Sequence, residues 1–379
     1  MIDARPTTAP NRRRVILFYY RPISHNGHGE TYYVHQLLRS FESKGVVQLI
    51  APKSPGPVGD SNAYMTMIRN LFATSVAQIQ FLFRRGRSSV HECLWIVVDA
   101  YAAPIPIVSS RVLGIPLVYV ASDPIDAYAQ SLQHASIPGG FLLRLFRKPP
   151  ESLLFRVSRM VIVRSRWMGD RLIEEGLPRD KLRVLSHPAQ AKPPELPAIS
   201  KVFYELDLSG KCGVLFLADF AYPPNREAAD FLVSSVLPEL RSSAPETRVI
   251  FAGPGSQRYS DPSLKQLITL GRLDDISPVA YACCIGIAPS VVSGGTSAKT
   301  VDYLAHGLKC LVTPQVARTF DADPNIITSP RETFARCLVD LVRTVELPTL
   351  SLDYYRRRLE NRTQAQLTTS PVIDELSRL

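Results

Sequence analysis

A chain of 379 residues exceeds what one hydrophobic core usually serves, so two domains of roughly 150–200 residues are expected. Its 45% hydrophobic and 21% charged residues exclude the disordered and fibrous classes and supply ample apolar side chains for a core. A formal net charge of +10, from 44 Lys and Arg against 34 Asp and Glu, points to an anionic partner: nucleotide phosphates, a lipid surface or nucleic acid.

In chain order, RRRVILFYY (12–20) is a basic start followed by a β-branched and aromatic run, the pattern of a buried parallel strand. A loop rich in Gly, His and Asn follows. From Thr31 to Lys44 the apolar residues Val34, Leu37, Leu38 and Phe41 recur at helical spacing, with Gly45 placed to end the helix. VVQLIAP (46–52) completes a βαβ unit. Strands at 94–100, 115–122, 159–165 and 183–188, separated by segments long enough for helices, extend it into a doubly wound α/β sheet.

PAQAKPPELP (188–197), with Pro188, Pro193, Pro194 and Pro197 and no apolar periodicity, reads as an extended linker. The pattern then restarts, with strands at 213–219, 247–255, 283–290 and 309–314 and helices at 225–240 and 296–307. Asn225, after two prolines, is placed to cap the first of these helices. The expected division is a first domain over 1–189, a linker over 190–209, a second domain over 210–348 and a C-terminal helix over 349–379 that crosses back to the first domain. Two Rossmann-like α/β domains facing one cleft are the fold class this implies.

The cysteines, Cys93, Cys212, Cys283, Cys284, Cys310 and Cys337, lie mostly in apolar runs without CxxC spacing. They read as buried thiols in a reducing compartment and give no metal site. No run approaches the roughly 18–20 uncharged apolar residues that a spanning helix needs. The opening MIDARPTTAPNRRR lacks the apolar centre of a secretion signal, so a cytoplasmic location is expected.

The segment SVVSGGTSAKTVDYLAHG (290–307) carries the most chemistry, because a glycine-rich strand exit leads at once into a helix for which Thr296 is the expected N-cap. A helix start offers unpaired N–H groups and a partial positive charge, and Gly294 and Gly295 admit a bulky anion close to that backbone. Thr296, Lys299 and Asp302, three apart, share one side of its first two turns. Lys299 would complement phosphate charge and Asp302 would accept hydrogen bonds from ribose hydroxyls. The alternative left open by spacing alone is a glycine-rich turn before an amphipathic helix with a solvated Lys–Asp pair.

The run Ser293-Gly294-Gly295-Thr296-Ser297-Ala298-Lys299-Thr300-Val301-Asp302 resembles the helix motif of GT-B glycosyltransferases of the family 4 type, the glycosyl transferases of group 1. ADFAYPPNREAADFLVSSVLPELR (218–241), AGPG (252–255), GRLDD (271–275) and Tyr281 fit the same family in the same order, so the likeness covers roughly residues 213–314. What the resemblance implies is a transferase that moves a sugar from a nucleotide-diphosphate sugar to a glycan or lipid-linked acceptor, with retention and without a metal. No cofactor is expected beyond that donor. The resemblance places Lys299 on the donor diphosphate, Asp302 at the ribose, Gly271, Arg272 and Leu273 along the nucleobase, and Ser293, Gly294, Gly295, Thr296 and Ser297 around the phosphates. Asn225 and Arg226 are further donor-side candidates, Arg226 standing in for a missing Arg and Lys pair. Two departures weigh against full activity: Gly294 stands where many relatives have a glutamate, and Asp302 is one methylene shorter than the usual residue. A degenerate GT-B protein that binds nucleotide or glycan as a regulatory or scaffold subunit is therefore the rival reading.

In the first domain, Gly27, His28 and Gly29 form the glycine-rich loop expected on the acceptor side. Asp123 lies at the carboxyl end of a strand, where open α/β sheets bind ligands, and the resemblance implies that Asp123 or Ser122 stands in for a histidine that touches the transferred sugar. Arg164, Ser165 and His187 end strands and read as structural. The acidic strings 273–275 and 321–323 join no cluster at ligand spacing and read as loops. Residues 137–159 and 81–87 interleave Phe and Leu with Arg and Lys, a pattern suited to an anionic membrane face or to helices packed on the sheet with basic outer sides. The expected partner is thus a membrane's inner surface; no groove-reading motif marks nucleic acid as one.

Overall fold

The computed structural model describes residues 14–19, 33–34, 37–38, 46–51, 63–84, 93–121, 123–134, 140–186, 191, 193–292, 295–360 and 370–376. They form two six-stranded parallel sheets. The first contains β1 (Arg14–Tyr19), β2 (Val46–Ile50), β3 (Cys93–Val98), β4 (Leu117–Val120), β5 (Met160–Val163) and β6 (Leu182–Val184), in the order β2-β1-β3-β4-β5-β6. The second contains β7 (Gly213–Leu217), β8 (Arg248–Ala252), β9 (Leu267–Gly271), β10 (Ile285–Ala288), β11 (Lys309–Val312) and β12 (Ile326–Thr328), in the order β12-β11-β10-β7-β8-β9. Strands such as CLWIVV, MVIV and IGIA are buried at every position, because helices cover both faces of each sheet.

Around the first sheet run α1 (Ala63–Arg84), α2 (Pro104–Leu113), α3 (Ile125–His134), α4 (Gly140–Val157) and α5 (Arg166–Glu174). Around the second run α6 (Leu196–Glu205), α7 (Pro223–Phe231), α8 (Leu237–Ser243), α9 (Ser277–Ala282), α10 (Ala298–Ala305), α11 (Pro314–Ala317) and α12 (Arg331–Thr344). The single helix expected over 225–240 is α7 and α8 joined by a π-turn at Leu232–Val236. Strands β9 and β12, both only partly buried, carry too weak an apolar pattern to stand out in the sequence.

Two expectations for the joining segments are corrected. The proline-rich stretch is not extended throughout: α6 starts at Leu196 with a proline in its first turn and buries Ile199 and Phe203 in the second domain's core. Proline is well tolerated there because the first-turn N–H has no intrahelical partner. The terminal segment is not one helix crossing back. Its first part, α13 (Leu352–Glu360), stays on the second domain, where Tyr354 and Tyr355 are buried. The Arg358 guanidinium donates to the Gly307, Tyr281 and Ala280 carbonyls at 3.1, 3.2 and 3.3 Å, adding donors at the carboxyl ends of α9 and α10. Only α14 (Ser370–Leu376) reaches the first domain, burying Leu376 in its core and joining Glu375 to Arg183 through two bonds of 2.6 and 2.7 Å.

Strand order positions the site. In the second sheet the chain goes from β7 outward through β8 and β9, then returns to β10 on β7's other side, so the order reverses between β7 and β10. A crevice opens at the carboxyl ends of such a pair, where this class of sheet binds its ligands. Helix α10 is pinned over that gap by one side chain: the Tyr303 hydroxyl accepts from the Leu217 N–H of β7 at 2.7 Å and donates to the Ile287 carbonyl of β10 at 3.2 Å. Gly286 makes room for the ring, since a Cβ there would stand 2.2 Å from it. Gly286→Ala should therefore cost about 1–3 kcal/mol by forcing a rigid ring off its seat, and urea denaturation measures it; an unchanged midpoint would contradict this packing.

Candidate active site

The first turn of α10 faces the crevice with its donors largely uncommitted. Ser297, not Thr296, is the N-cap, its hydroxyl accepting from the Thr300 N–H at 3.4 Å and lying 2.9 Å from the Thr300 hydroxyl. The extended backbone of Ser297, which a cap requires, displaces the helix start by one residue from the expected position. Among the described residues no acceptor takes the N–H groups of Ala298 and Lys299. Thr296 instead points across to the first domain, its hydroxyl 3.9 Å from the Met168 sulfur of α5. Gly295 lies on this approach, and Ser293 and Gly294 fall outside the described residues.

Lys299 folds back from the helix over β7. Its ammonium lies 4.4 Å from the centre of the Phe216 ring and donates to Asn225 Oδ1 at 3.0 Å. The residue is half-buried, and loss of water around its ammonium pushes its pKa down to about 7. Asp302, one turn on, has its carboxyl pushed up to about 7 by the same cause. The Asp302 carbonyl accepts from the His306 N–H at 3.2 Å, and the His306 ring, buried, bridges that carbonyl and the Ser277 hydroxyl. Two ionisable groups held three residues apart in desolvated positions are costly to the fold, a pattern that clusters at functional sites.

Asn225 is the third residue of α7 and not its cap, because the helix begins at Pro223 with Tyr222 in the capping position. Its side chain does other work, described below. Arg226, also in that first turn, contributes its carbonyl to the Tyr259 hydroxyl at 3.3 Å. The loop between β7 and α7 is braced from beside: Phe220 N–H donates to the Pro254 carbonyl at 2.9 Å, and Gly253 has φ of 134° with Ala218 O where a Cβ would be. Gly271, with φ of 68°, ends β9, and its N–H donates to the Ser256 hydroxyl at 2.8 Å. Arg272 is exposed beyond it, and Leu273 packs partly into the core. From the far side, Arg331 grips the Glu227 carboxylate of α7 with both terminal nitrogens and donates Nε to the Pro289 carbonyl at 2.9 Å. That arginine fixes the β10 exit against the helix carrying Asn225.

On the first sheet, Asp123 follows β4 and pairs with Arg164 at 3.2 Å; Arg164 ends β5 and lies over the Tyr33 ring at 5.7 Å. Ser165 caps α5, accepting from the Met168 N–H at 3.3 Å. Gly27, His28, Gly29, Ser122 and His187 lie outside the described residues. Sequence reasoning passed over Asp99. It ends β3 beside the point where the first sheet's order reverses, is buried, and holds φ of 67° while its carboxylate accepts from the Tyr101 N–H at 3.2 Å. A positive φ at a branched-free but non-glycine residue is strained, and such strain concentrates at functional positions. Contacts join the two rims: Arg318 stacks on Trp167 at 4.4 Å, and Arg166 approaches Asp321 at 3.9 Å, which puts the 321–323 loop at the cleft's edge. Among the described residues no group of His, Cys, Asp or Glu is arranged to hold a metal ion.

The family model of the glycosyl transferases group 1 matches residues 211–344, the stretch that builds β7 to α12. Residues 211–344 are thus similar to the glycosyl transferases of group 1. The whole chain's architecture is the GT-B fold: HepE of Anabaena, solved in complex with UDP-glucose, superimposes with a TM-score of 0.64 at 15% identity over 97% of this chain and 100% of that one. Sucrose-phosphate synthase of Thermosynechococcus elongatus gives 0.64 at 11% identity over 97% and 98%. WaaG, a glycosyltransferase of lipopolysaccharide biosynthesis, gives 0.60 at 14% identity over 96% and 98%. No curated protein matches the chain.

The pH dependence of stability follows from the two desolvated groups of the transferase domain. The folded pKa of Asp302 lies above its unfolded value, so its ionisation costs the fold increasingly from about pH 4 upward and fully above about pH 7. Asp302→Asn should stabilise the protein at pH 8 by on the order of 1–2 kcal/mol and give no gain at pH 4. Denaturant midpoints at the two pH values decide it; an equal effect at both would contradict the burial.

Proposed function

We propose that the protein transfers a sugar from a nucleotide-diphosphate sugar to a glycan or lipid-linked acceptor, with retention and without a metal ion. The observation that carries this reading is the start of α10: two backbone N–H groups with no acceptor among the described residues, and Lys299 in the same first turn, stand beside the strand-order reversal of a domain similar to the group 1 glycosyl transferases. Charge that builds on the departing diphosphate would be met by donors already in place, which is the largest single source of help such a reaction takes from a protein. HepE, of the same fold, was solved with UDP-glucose, and a UDP-sugar is the donor class this reading adopts. Asp302, at the ribose, and Gly271, Arg272 and Leu273, along the base, complete the donor side. Asp123, oriented by Arg164, serves the sugar or acceptor side.

Diphosphate beside Lys299 raises its pKa, so donor binding takes up a proton and weakens as pH rises above about 7. Lys299→Ala should reduce donor turnover at least 100-fold, roughly 3 kcal/mol of transition-state stabilisation. Mass spectrometry of nucleotide diphosphate released from a panel of sugar donors measures this. Unchanged turnover overturns the assignment of Lys299. Binding of donor by the native protein without turnover favours the rival reading of a regulatory subunit, which the departures at Gly294 and Asp302 motivate.

A lipid-linked acceptor fits the outer face of the first domain. Helices α1, α2 and α4 pack side by side and expose Phe72, Val76, Ile79, Val108, Val112 and Leu145. Their sequences are basic, with Glu151 the single acid, and that residue is buried under the Tyr119 hydroxyl at 2.7 Å. Apolar side chains in a basic setting suit the surface of an anionic bilayer, and among the described residues no helix is long and apolar enough to cross one. Flotation with phosphatidylglycerol vesicles should show binding that falls as salt rises; no binding at low salt removes the membrane from the proposal.

A further inference from the structure

Lys299 has one polar partner among the described residues, and that partner is itself held in a single orientation. Asn225 Nδ2 donates to the Asp219 carbonyl at 2.9 Å. A side-chain amide has one donating and one accepting end, so once its nitrogen is committed to a carbonyl its oxygen must face the other way. Here the other way is the Lys299 ammonium, 3.0 Å from Oδ1. The loop carrying both ends is closed on itself: Tyr222 N–H donates to the Asp219 carbonyl at 3.2 Å, Asn225 N–H donates to the Tyr222 carbonyl at 3.0 Å, and the Asp219 carboxylate is occupied by the Ala221 N–H at 2.9 Å. Turning the Asn225 amide over would set its nitrogen against the ammonium and its oxygen against the Asp219 carbonyl, losing both bonds.

We infer that Asn225 is a positioning residue, which aims the Lys299 ammonium along the floor of the crevice and supplies the acceptor that keeps it protonated over the Phe216 ring. The inference rests on the donor-site reading above but makes a separate claim, that Asn225 acts on Lys299 and not on the nucleotide. Its logic is compositional. An aspartate in the same place would neutralise the ammonium and repel the diphosphate that the ammonium is there to meet, and would also set a carboxylate against the Asp219 carbonyl. A leucine would leave a desolvated cation with only the ring beneath it, where a cation–π contact alone offsets little of the burial cost. The amide alone accepts from the cation and donates to the carbonyl without adding charge. On α7 the charged residues next to Asn225 are Arg226 and Glu227, the latter gripped by Arg331; the Asp219 carboxylate is turned to its own loop, and Asp302 lies three residues beyond Lys299 on α10.

The test reads Lys299 directly. In full-length protein labelled with 13C-lysine, the Lys299 Cε resonance, assigned by its loss in Lys299→Ala, gives its titration by NMR. Asn225→Leu should move the titration to lower pH by about half a unit or more and Asn225→Asp to higher pH by a similar amount, as removal and strengthening of a hydrogen-bonded acceptor require. Titrations that coincide with the native protein's in both variants overturn the positioning role, whatever the activity. The second readout is UDP binding by calorimetry at pH 6.5 and 8.5: for a half-unit shift, Asn225→Leu should weaken binding about threefold at pH 8.5 and less than about twofold at pH 6.5, where a larger share of the lysine is protonated in either protein. A pH-independent loss would mean that Asn225 contacts the nucleotide itself and would also overturn the inference. Shifted titrations together with no UDP binding by the native protein would leave the positioning role standing and defeat the donor-site reading.

Discussion

One tyrosine hydroxyl ties the second domain together at the place where its sheet changes direction. Tyr303 takes the Leu217 N–H of β7 and gives its own proton to the Ile287 carbonyl of β10, so the two strands that part at the crevice are bridged by a side chain of the helix that follows. Both backbone groups lie where a regular ladder is giving way to loops, and buried backbone groups of that kind need partners. Because α10 is fixed by this bridge, its N-terminal N–H groups and Lys299 are fixed with it. The strand-order reversal thus provides the opening, Gly286 the space, and Tyr303 the registration of cation against crevice.

Preorganisation at this site is achieved at a cost in stability that the surrounding arginines help to offset. Lys299 and Asp302 are desolvated without an ion-pair partner among the described residues, whereas the arginines around them are each engaged in structure. Arg331 locks α7 to the β10 exit, Arg358 closes the ends of α9 and α10, and Arg183 clasps Glu375 so that α14 closes on the first domain. Bidentate guanidinium contacts suit this use because the planar fork loses little freedom per bond formed. These three arginines are committed to holding elements in place, whereas the Lys299 ammonium is held by a neutral amide.

Much of the architecture was legible in the sequence because parallel strands buried on both faces read as uninterrupted apolar runs: IVV within 94–100, VIV within 159–165, IGIA within 283–290. β9 and β12 escaped because they lie at sheet edges, where one side is open and the composition no longer stands out. The linker misled for a different reason: Pro197 in a first turn is compatible with a helix, and only tertiary contact of Ile199 and Phe203 reveals that one forms. At the site, the glycine-rich turn and the lysine one turn later were readable as a phosphate motif, but the cap's identity was not, since Thr296 and Ser297 are chemically equivalent candidates and backbone angles choose between them. Asp99 carried no signal at all, because a positive φ leaves no trace in a side chain's identity.

The position of Asn225 shows why a site of this kind is only half visible in one dimension. Lys299 and Asn225 are separated by 74 residues and meet because β7 and β10 are neighbours in a sheet whose order reverses between them. Each residue taken alone suggests a local role, a phosphate ligand for one and a helix cap for the other. Once the strands are paired, the amide's fixed orientation removes the capping role and the lysine's depressed basicity gains a counterweight. A cation that must be available to an incoming anion cannot be given a permanent anionic partner, and a buried cation with no partner would lose its proton. A neutral acceptor whose direction is fixed by a backbone carbonyl satisfies both conditions, and the Pro-Pro-Asn opening of α7 delivers it in that helix's first turn.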